Sequence, residues 1–147
     1  WNANLPAPTS NDSWYKRLLN TTVKSSPTNA VSLSNNNIFF NQPGTYLIIA
    51  SAPAYSLNRH RLCLRNQSNN AIVIFGTSEF AAEGTQTRSY ITSVITILSS
   101  GEQYFLDHHL LEPDGSAQSV GVETHLGAPF NTPQDFETYS QISIQKL

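Results

Sequence analysis

The chain has 147 residues, 39% of them hydrophobic and only 12% charged, with a net charge of −2, against about 25% charged residues in an ordinary soluble domain. Asn, Ser and Thr stand where the charges are missing, and these favour turns and sheet surfaces over helices. The length suits one domain with one core; the absence of a Lys/Arg run excludes a nucleic-acid groove, and no segment is long and apolar enough for a membrane span.

Helical periodicity is almost absent, and period-two alternation broken by turn residues recurs instead. Residues 1–13 are rich in Pro, Asn and Ser and read as an extended arm, with Trp1 and Leu5 as anchors; the head domain takes residues 14–147. The chain opens at Trp1 without a signal peptide, as a fragment or processed product would. Trp14–Asn20 is the first predicted strand. Val31–Leu33 and Ile38–Phe40 follow, divided by Asn35, Asn36 and Asn37, which suit a tight hairpin because Asn tolerates positive φ. Thr45–Ala52 is a long strand ending at Pro53. Tyr46, Ile48, Ala50 and Ala52 share one of its faces, Leu47 and Ile49 the other, so one face meets the core and one a partner.

His60–Asn66 and Ala71–Gly76 come next, then a polar loop from Thr77 to Gln86. Thr87–Leu98 is the longest predicted strand, with Ile91, Ile95 and Ile97 facing one way and Tyr90, Val94 and Leu98 the other. Ser99, Ser100 and Gly101 turn into Glu102–Leu110. A loop rich in Gly and Pro runs from Pro113 to Pro133, with Gly121 and Val122 on a short strand inside it. Glu137–Lys146 closes the chain, and its alternation to the last residues predicts a place in the middle of a sheet. Many short strands with closely spaced turns predict an all-β antiparallel sandwich or barrel.

Several segments carry a resemblance. They are Trp14 with Arg17, Leu18 and Asn20; the run Phe40 to Ile48 followed by Ala50 to Tyr55; Asn58-Arg59-His60; Leu64-Arg65-Asn66; Gly76-Thr77-Ser78-Glu79; Gln86-Thr87-Arg88-Ser89; Leu106-Asp107-His108; and Tyr139 to Lys146. Together they resemble a family of bacteriophage fibre and virion-surface heads, itself similar to tumour-necrosis-factor and complement-type globular heads. The resemblance implies an antiparallel jelly-roll β-sandwich that assembles as a homotrimer. The stretch from Pro113 to Asp135 departs from the pattern, being longer and richer in Gly and Pro. Independently, a three-fold ring is one way to bury a second apolar face. Tyr46, Ile48, Tyr90, Phe105 and Tyr139 are the candidates for the trimer interface.

No motif is arranged like an active site, and no catalytic residue, cofactor or metal is expected. Of the four histidines, His108 and His109 are adjacent on a strand and point apart, so both cannot bind one ion; His60 could meet one of them across a sheet. Asp107 beside His108 lacks a nucleophile and an oxyanion hole, and there is no Gly-x-Ser-x-Gly elbow. Glu79 and Glu83 have no apolar surroundings to raise one carboxyl for glycoside chemistry. Cys63 lies mid-strand on the face of Arg61 and Arg65, which would leave it half exposed, but a buried, inert thiol is the default reading; those arginines read as a solvated or interface-rim face.

The expected function is therefore non-enzymatic: a trimeric fibre or spike head on a virion that binds a host surface glycan or protein. Its contacts come from loops at one end of the sandwich, with Tyr55, His60, Phe80, His125 and Phe130 as candidates. One alternative is a capsid decoration protein clamping the shell at three-fold positions, its arm lying on other virion proteins. Another is a secreted cytokine-like trimeric ligand.

Overall fold

A computed structural model of the chain describes residues 12–19, 22, 29–55, 59–111 and 140–147. Nine strands form among them: β1 (Asp12–Lys16), β2 (Val31–Ser34), β3 (Asn37–Phe40), β4 (Gly44–Tyr55), β5 (Arg59–Asn66), β6 (Ile72–Phe80), β7 (Gln86–Ile97), β8 (Glu102–Leu111) and β9 (Gln141–Lys146). All pairings are antiparallel. One sheet runs β2-β3-β8-β5-β6 with β1 also on β8; the other runs β7-β4-β9. Among the described residues no helix is long and apolar enough to cross a membrane. The arm residues Trp1 and Leu5, and Gly121, Val122, His125, Phe130 and Tyr139, lie outside the described residues.

The chain changes sheet at β3–β4, β4–β5, β6–β7, β7–β8 and β8–β9. The inner faces thereby meet as a sandwich with one main core. Ile38, Phe40, Leu62, Leu64, Tyr104 and Leu106 come from the larger sheet, and Tyr46, Ile48, Ala50, Ala52, Ile91, Ile95 and Ile97 from the smaller. Phe40 sits at the junction. Its ring meets Tyr46 edge-on at 4.8 Å and Tyr104 edge-on at 5.4 Å, the arrangement that the ring quadrupole favours. The β2–β3 hairpin turns on Asn35 and Asn36, both at positive φ (49° and 61°), as a two-residue primed turn requires. The Asn36 amide oxygen also accepts from Leu19 N at 2.9 Å and holds the chain leaving β1.

Two expectations are corrected. β4 does not stop before Pro53 but runs through it to Tyr55, paired with β7 throughout. Among the described residues the pairing with β9 ends at Ser51, so Pro53 lies beyond that ladder, where a residue without an N–H is tolerated. β6 continues past Gly76 to Phe80, because Ser78 and Phe80 pair with Arg61 and Arg59. Among the described residues β9 is bonded to β4, and its Gln141, Ser143 and Gln145 are exposed.

The sandwich is closed along one side by a seam between β6 and β7. The β5–β6 register slips between Arg61 and Cys63. At the slip Leu62 N donates to Ser89 Oγ (2.8 Å), which donates in turn to Thr77 O (2.6 Å), while Tyr90 N donates to Thr77 Oγ1 (3.0 Å). Gly76 fits here because a Cβ would stand 2.7 Å from Tyr90 O and 3.0 Å from Leu62 O, both backbone atoms. Gly76→Ala is therefore expected to lower the unfolding free energy by about 1–3 kcal/mol, the usual range for overpacking. Urea denaturation would measure it, and a loss below roughly 0.5 kcal/mol, typical of a bland surface change, would mean the seam has room to spare.

Candidate functional site

Three regions carry side chains that the core does not account for. The first is the outward face of the smaller sheet. Alternation along β4 and β7 points Leu47, Ile49, Tyr90 and Val94 away from the core. Leu47 lies opposite Val94, Ile49 opposite Thr92 and Ser51 opposite Tyr90, so Ile49 has Tyr90 and Val94 as diagonal neighbours. Ile49, Tyr90 and Val94 are 47%, 51% and 54% exposed, forming an apolar stripe. This corrects the interface residues read from sequence. Tyr46 and Ile48 lie on the opposite face, fully buried in the chain's own core, with no surface left for a partner. Phe105 is buried too, under the Lys16 ammonium, which lies 4.6 Å from the ring centroid. Of the described candidates only Tyr90 lies on an exposed apolar face. The signal was present in the sequence: β7 divides cleanly into an isoleucine face and a Tyr/Val face, and β4 must follow the same division.

The second region is the outer face of the larger sheet, where β1 is bound to β8. Trp14 stacks on His109 with ring centroids 4.2 Å apart, and the Arg65 guanidinium lies over Trp14 at 4.3 Å. Arg65 Nε donates to Asp107 Oδ2 at 2.6 Å in an ion pair that is nearly enclosed. Burial pushes the Asp107 carboxyl up, and Arg65 pulls it back. Arg61 covers Phe75 at 4.2 Å. These arginines therefore form a layer over the sheet, not a solvated rim. Cys63 lies on this face as expected and is fully buried, as the default reading of an inert thiol had it. Burial first, then the Asp107 charge, push its thiol up to about 12.

The third region is a polar cluster inside one end of the sandwich. His60 was expected in a surface loop, but it is an inward-facing β5 residue, 2% exposed. Its Nδ1 lies 2.9 Å from His108 Nε2 and its Nε2 lies 2.8 Å from Thr87 Oγ1. Arg17, equally buried, donates from Nε to Ser140 Oγ at 2.5 Å. The histidine contact across the sheet that the sequence allowed does form, on the His108 side. Among the described residues no three His, Cys, Asp or Glu side chains converge as metal ligands, and the Arg17 charge opposes a cation here. Burial first, then Arg17, hold His108 well below the ordinary imidazole range; burial brings His60 down to about 4, Glu79 working against it and Arg17 with it. Thr87, Arg17 and Ser140 were not singled out as a site, because their convergence depends on strands far apart in sequence.

The same end carries the exposed recognition candidates. Tyr55 pairs with Gln86 and Arg59 with both Phe80 and Leu111, so β4, β5, β6, β7 and β8 all meet there. Phe80 is exposed, at the end of β6 and not in a loop; Tyr55 is half-buried. A shallow cleft of about 320 Å³ at the opposite end is lined by Asn66, Gln67, Ser100, Glu102 and neighbours. Its one carboxylate already accepts from Leu98 N, Ser99 N and Tyr104 Oη. For Cys63 the expected outcome is protection: a thiol-specific chromogenic disulfide at pH 8 gives no reaction in the folded protein and one equivalent after denaturation. Rapid labelling of the native chain would mean that the arginine layer opens.

No protein-family model matches this chain, and no curated protein does. Among solved structures the fold is similar to that of Eiger TNF from S. frugiperda, at 12% identity and a TM-score of 0.47, covering 73% of this chain and 82% of that one. It is also similar to the globular domain of the zebrafish complement 1qA protein, at 12% identity and a TM-score of 0.43, covering 69% and 94%. Both are animal proteins, and the virion setting expected from the sequence resemblance finds no support in them.

Proposed function

We infer that this chain is a non-enzymatic recognition head, a jelly-roll sandwich that assembles as a homotrimer and presents three copies of one binding end. The observation that carries the reading is the apolar stripe of Ile49, Tyr90 and Val94 on the outward face of the smaller sheet. Contiguous apolar residues on a sheet face mark an interaction surface. A three-fold ring needs two different patches on each copy, since its contacts are head-to-tail. Val73, Phe75 and Phe80 on β6, all exposed, offer a second patch at the edge of the other sheet.

Recognition would then fall to the end where Tyr55, Phe80 and the Ala82–Thr85 turn meet. Three identical weak sites on a rigid head gain avidity whenever their spacing matches the target. A surface glycan or protein on a host cell suits such a head. The sequence resemblance favours display on a virion, as a fibre head or a shell decoration; a secreted cytokine-like ligand is the other setting. Binding of the labelled protein to bacterial or to animal cell surfaces separates the two.

Light scattering tests assembly first. The expected mass is three times the 16.2 kDa of one chain. Ile49→Lys with Val94→Lys is expected to give a monomer with an unchanged far-UV circular dichroism spectrum, and a loss of trimer affinity of at least tenfold, since each lysine desolvation costs more than about 1.4 kcal/mol. A wild-type monomer at micromolar concentration, or a trimer that survives both lysines, would sink the assembly.

A further inference from the structure

We propose that the His60–His108 pair is an acid-sensitive latch that keeps Arg17 and the chain following β1 seated on the recognition end of the sandwich. The pair is built for the neutral state. With His108 Nε2–H donating to His60 Nδ1, His60 Nε2–H donates to Thr87 Oγ1, and both contacts are satisfied at 2.9 and 2.8 Å. The lone pair left to accept a proton is His108 Nδ1. That atom is buried and has no hydrogen-bond partner among the described residues. A proton there creates an unanswered N–H and a second positive charge beside Arg17, inside an enclosed cluster.

The surroundings do not compensate. Arg17 follows β1 and Arg88 lies on β7; Arg88 adds to the burial that lowers Arg17 to about 9, so Arg17 stays charged at neutral pH. His109 on β8 also disfavours charge on His108. Among the described residues, Glu79 on β6 is the facing group that favours a charged His60. Relief comes most easily from the least attached of the strands around the cluster. Among the described residues β1 pairs with β8 alone, over five residues, and Arg17 adds one backbone bond, its N–H donating to Leu106 O at 2.8 Å. Moving Arg17 outward removes one charge and admits water to both imidazoles.

The sign follows from linkage. A histidine lowered in the fold stabilises it fully above the unfolded value of 6.5, and that stabilisation is lost as pH falls from 6.5 towards about 4. Over that window His60 raises the unfolding constant about tenfold per pH unit, and His108, also shifted downward, steepens the loss. The two shifted carboxylates among the described residues do not mimic this above pH 5. Asp107 is shifted upward, so its protonation does not favour unfolding, and the contribution of Glu102, shifted downward, is lost only below its ordinary 4.5.

The test uses the intact chain between pH 7.5 and 5. Urea unfolding is expected to show the steep loss, and His60→Gln with His108→Gln to flatten it. Hydrogen exchange, corrected for intrinsic rates, is expected to show the Lys16 and Arg17 amides losing protection at pH 5 while those of Ile48 and Ile91 keep theirs. If the double variant does not fold, the wild-type imidazole Cε1 proton resonances decide. Two of the four histidines staying constant from pH 8 to 5 supports the latch. Four histidines titrating near 6.5, a flat stability profile, or uniform loss of protection overturns it.

Discussion

Where β5 and β6 slip register, the Leu62 N–H turns to the Ser89 hydroxyl, which accepts it and donates to Thr77 O. One buried side chain on β7 thus bonds to two adjacent strands of the other sheet, β5 and β6. The seam sets how closely β6 and β7 approach, which is why a glycine stands at 76. It also sets the placement of Thr87, two residues before Ser89 and so on the same inner face, within reach of His60. The polar cluster lies next to this seam, and its geometry depends on it.

The seam and the core answer different needs. Phe40, Tyr46 and Tyr104 fasten the sheets at one end through apolar contact and edge-on rings. At the other end the sheets are joined by hydroxyls, imidazoles and a guanidinium, each with a named partner. A polar interior is directional, and it fails abruptly when one group changes protonation. The segments that carried the sequence resemblance include Arg17, His60, Thr77, Thr87, Ser89, His108 and Ser140. Those residues are scattered over the whole chain, and the fold brings them to the seam and the cluster.

Much of the fold was legible because period-two alternation survives burial. The faces of β7 were read correctly, with Ile91, Ile95 and Ile97 inside and Tyr90 and Val94 outside. The Asn35-Asn36 turn was legible because few residues accept two successive positive φ angles. β4 was ambiguous for a physical reason: both its faces are apolar, and alternation alone cannot say which one meets the core. The Tyr46 hydroxyl gave no warning, since Tyr46 Oη donates to Gln42 O and the ring is buried all the same. His60 went wrong in the opposite direction, read into a surface loop but buried. Its partners Thr87 and His108 lie on strands whose pairing no local pattern specifies.

The charge distribution follows from the same economy of ionic groups. The chain has eight Lys and Arg residues, and Arg17, Arg61 and Arg65 are buried or half-buried against rings, a hydroxyl or Asp107. The exposed sheet faces are instead Thr, Ser and Gln around the apolar stripe of Ile49, Tyr90 and Val94. Exposed ion pairs are weak and screened by salt over about 10 Å at 0.1 M, whereas the Arg65–Asp107 pair is nearly enclosed. Enclosed charges keep their strength whatever the ionic strength, but they answer to protons. A sandwich built this way tolerates salt and concentrates its sensitivity to pH in one interior cluster, directly beneath the end that carries Tyr55 and Phe80.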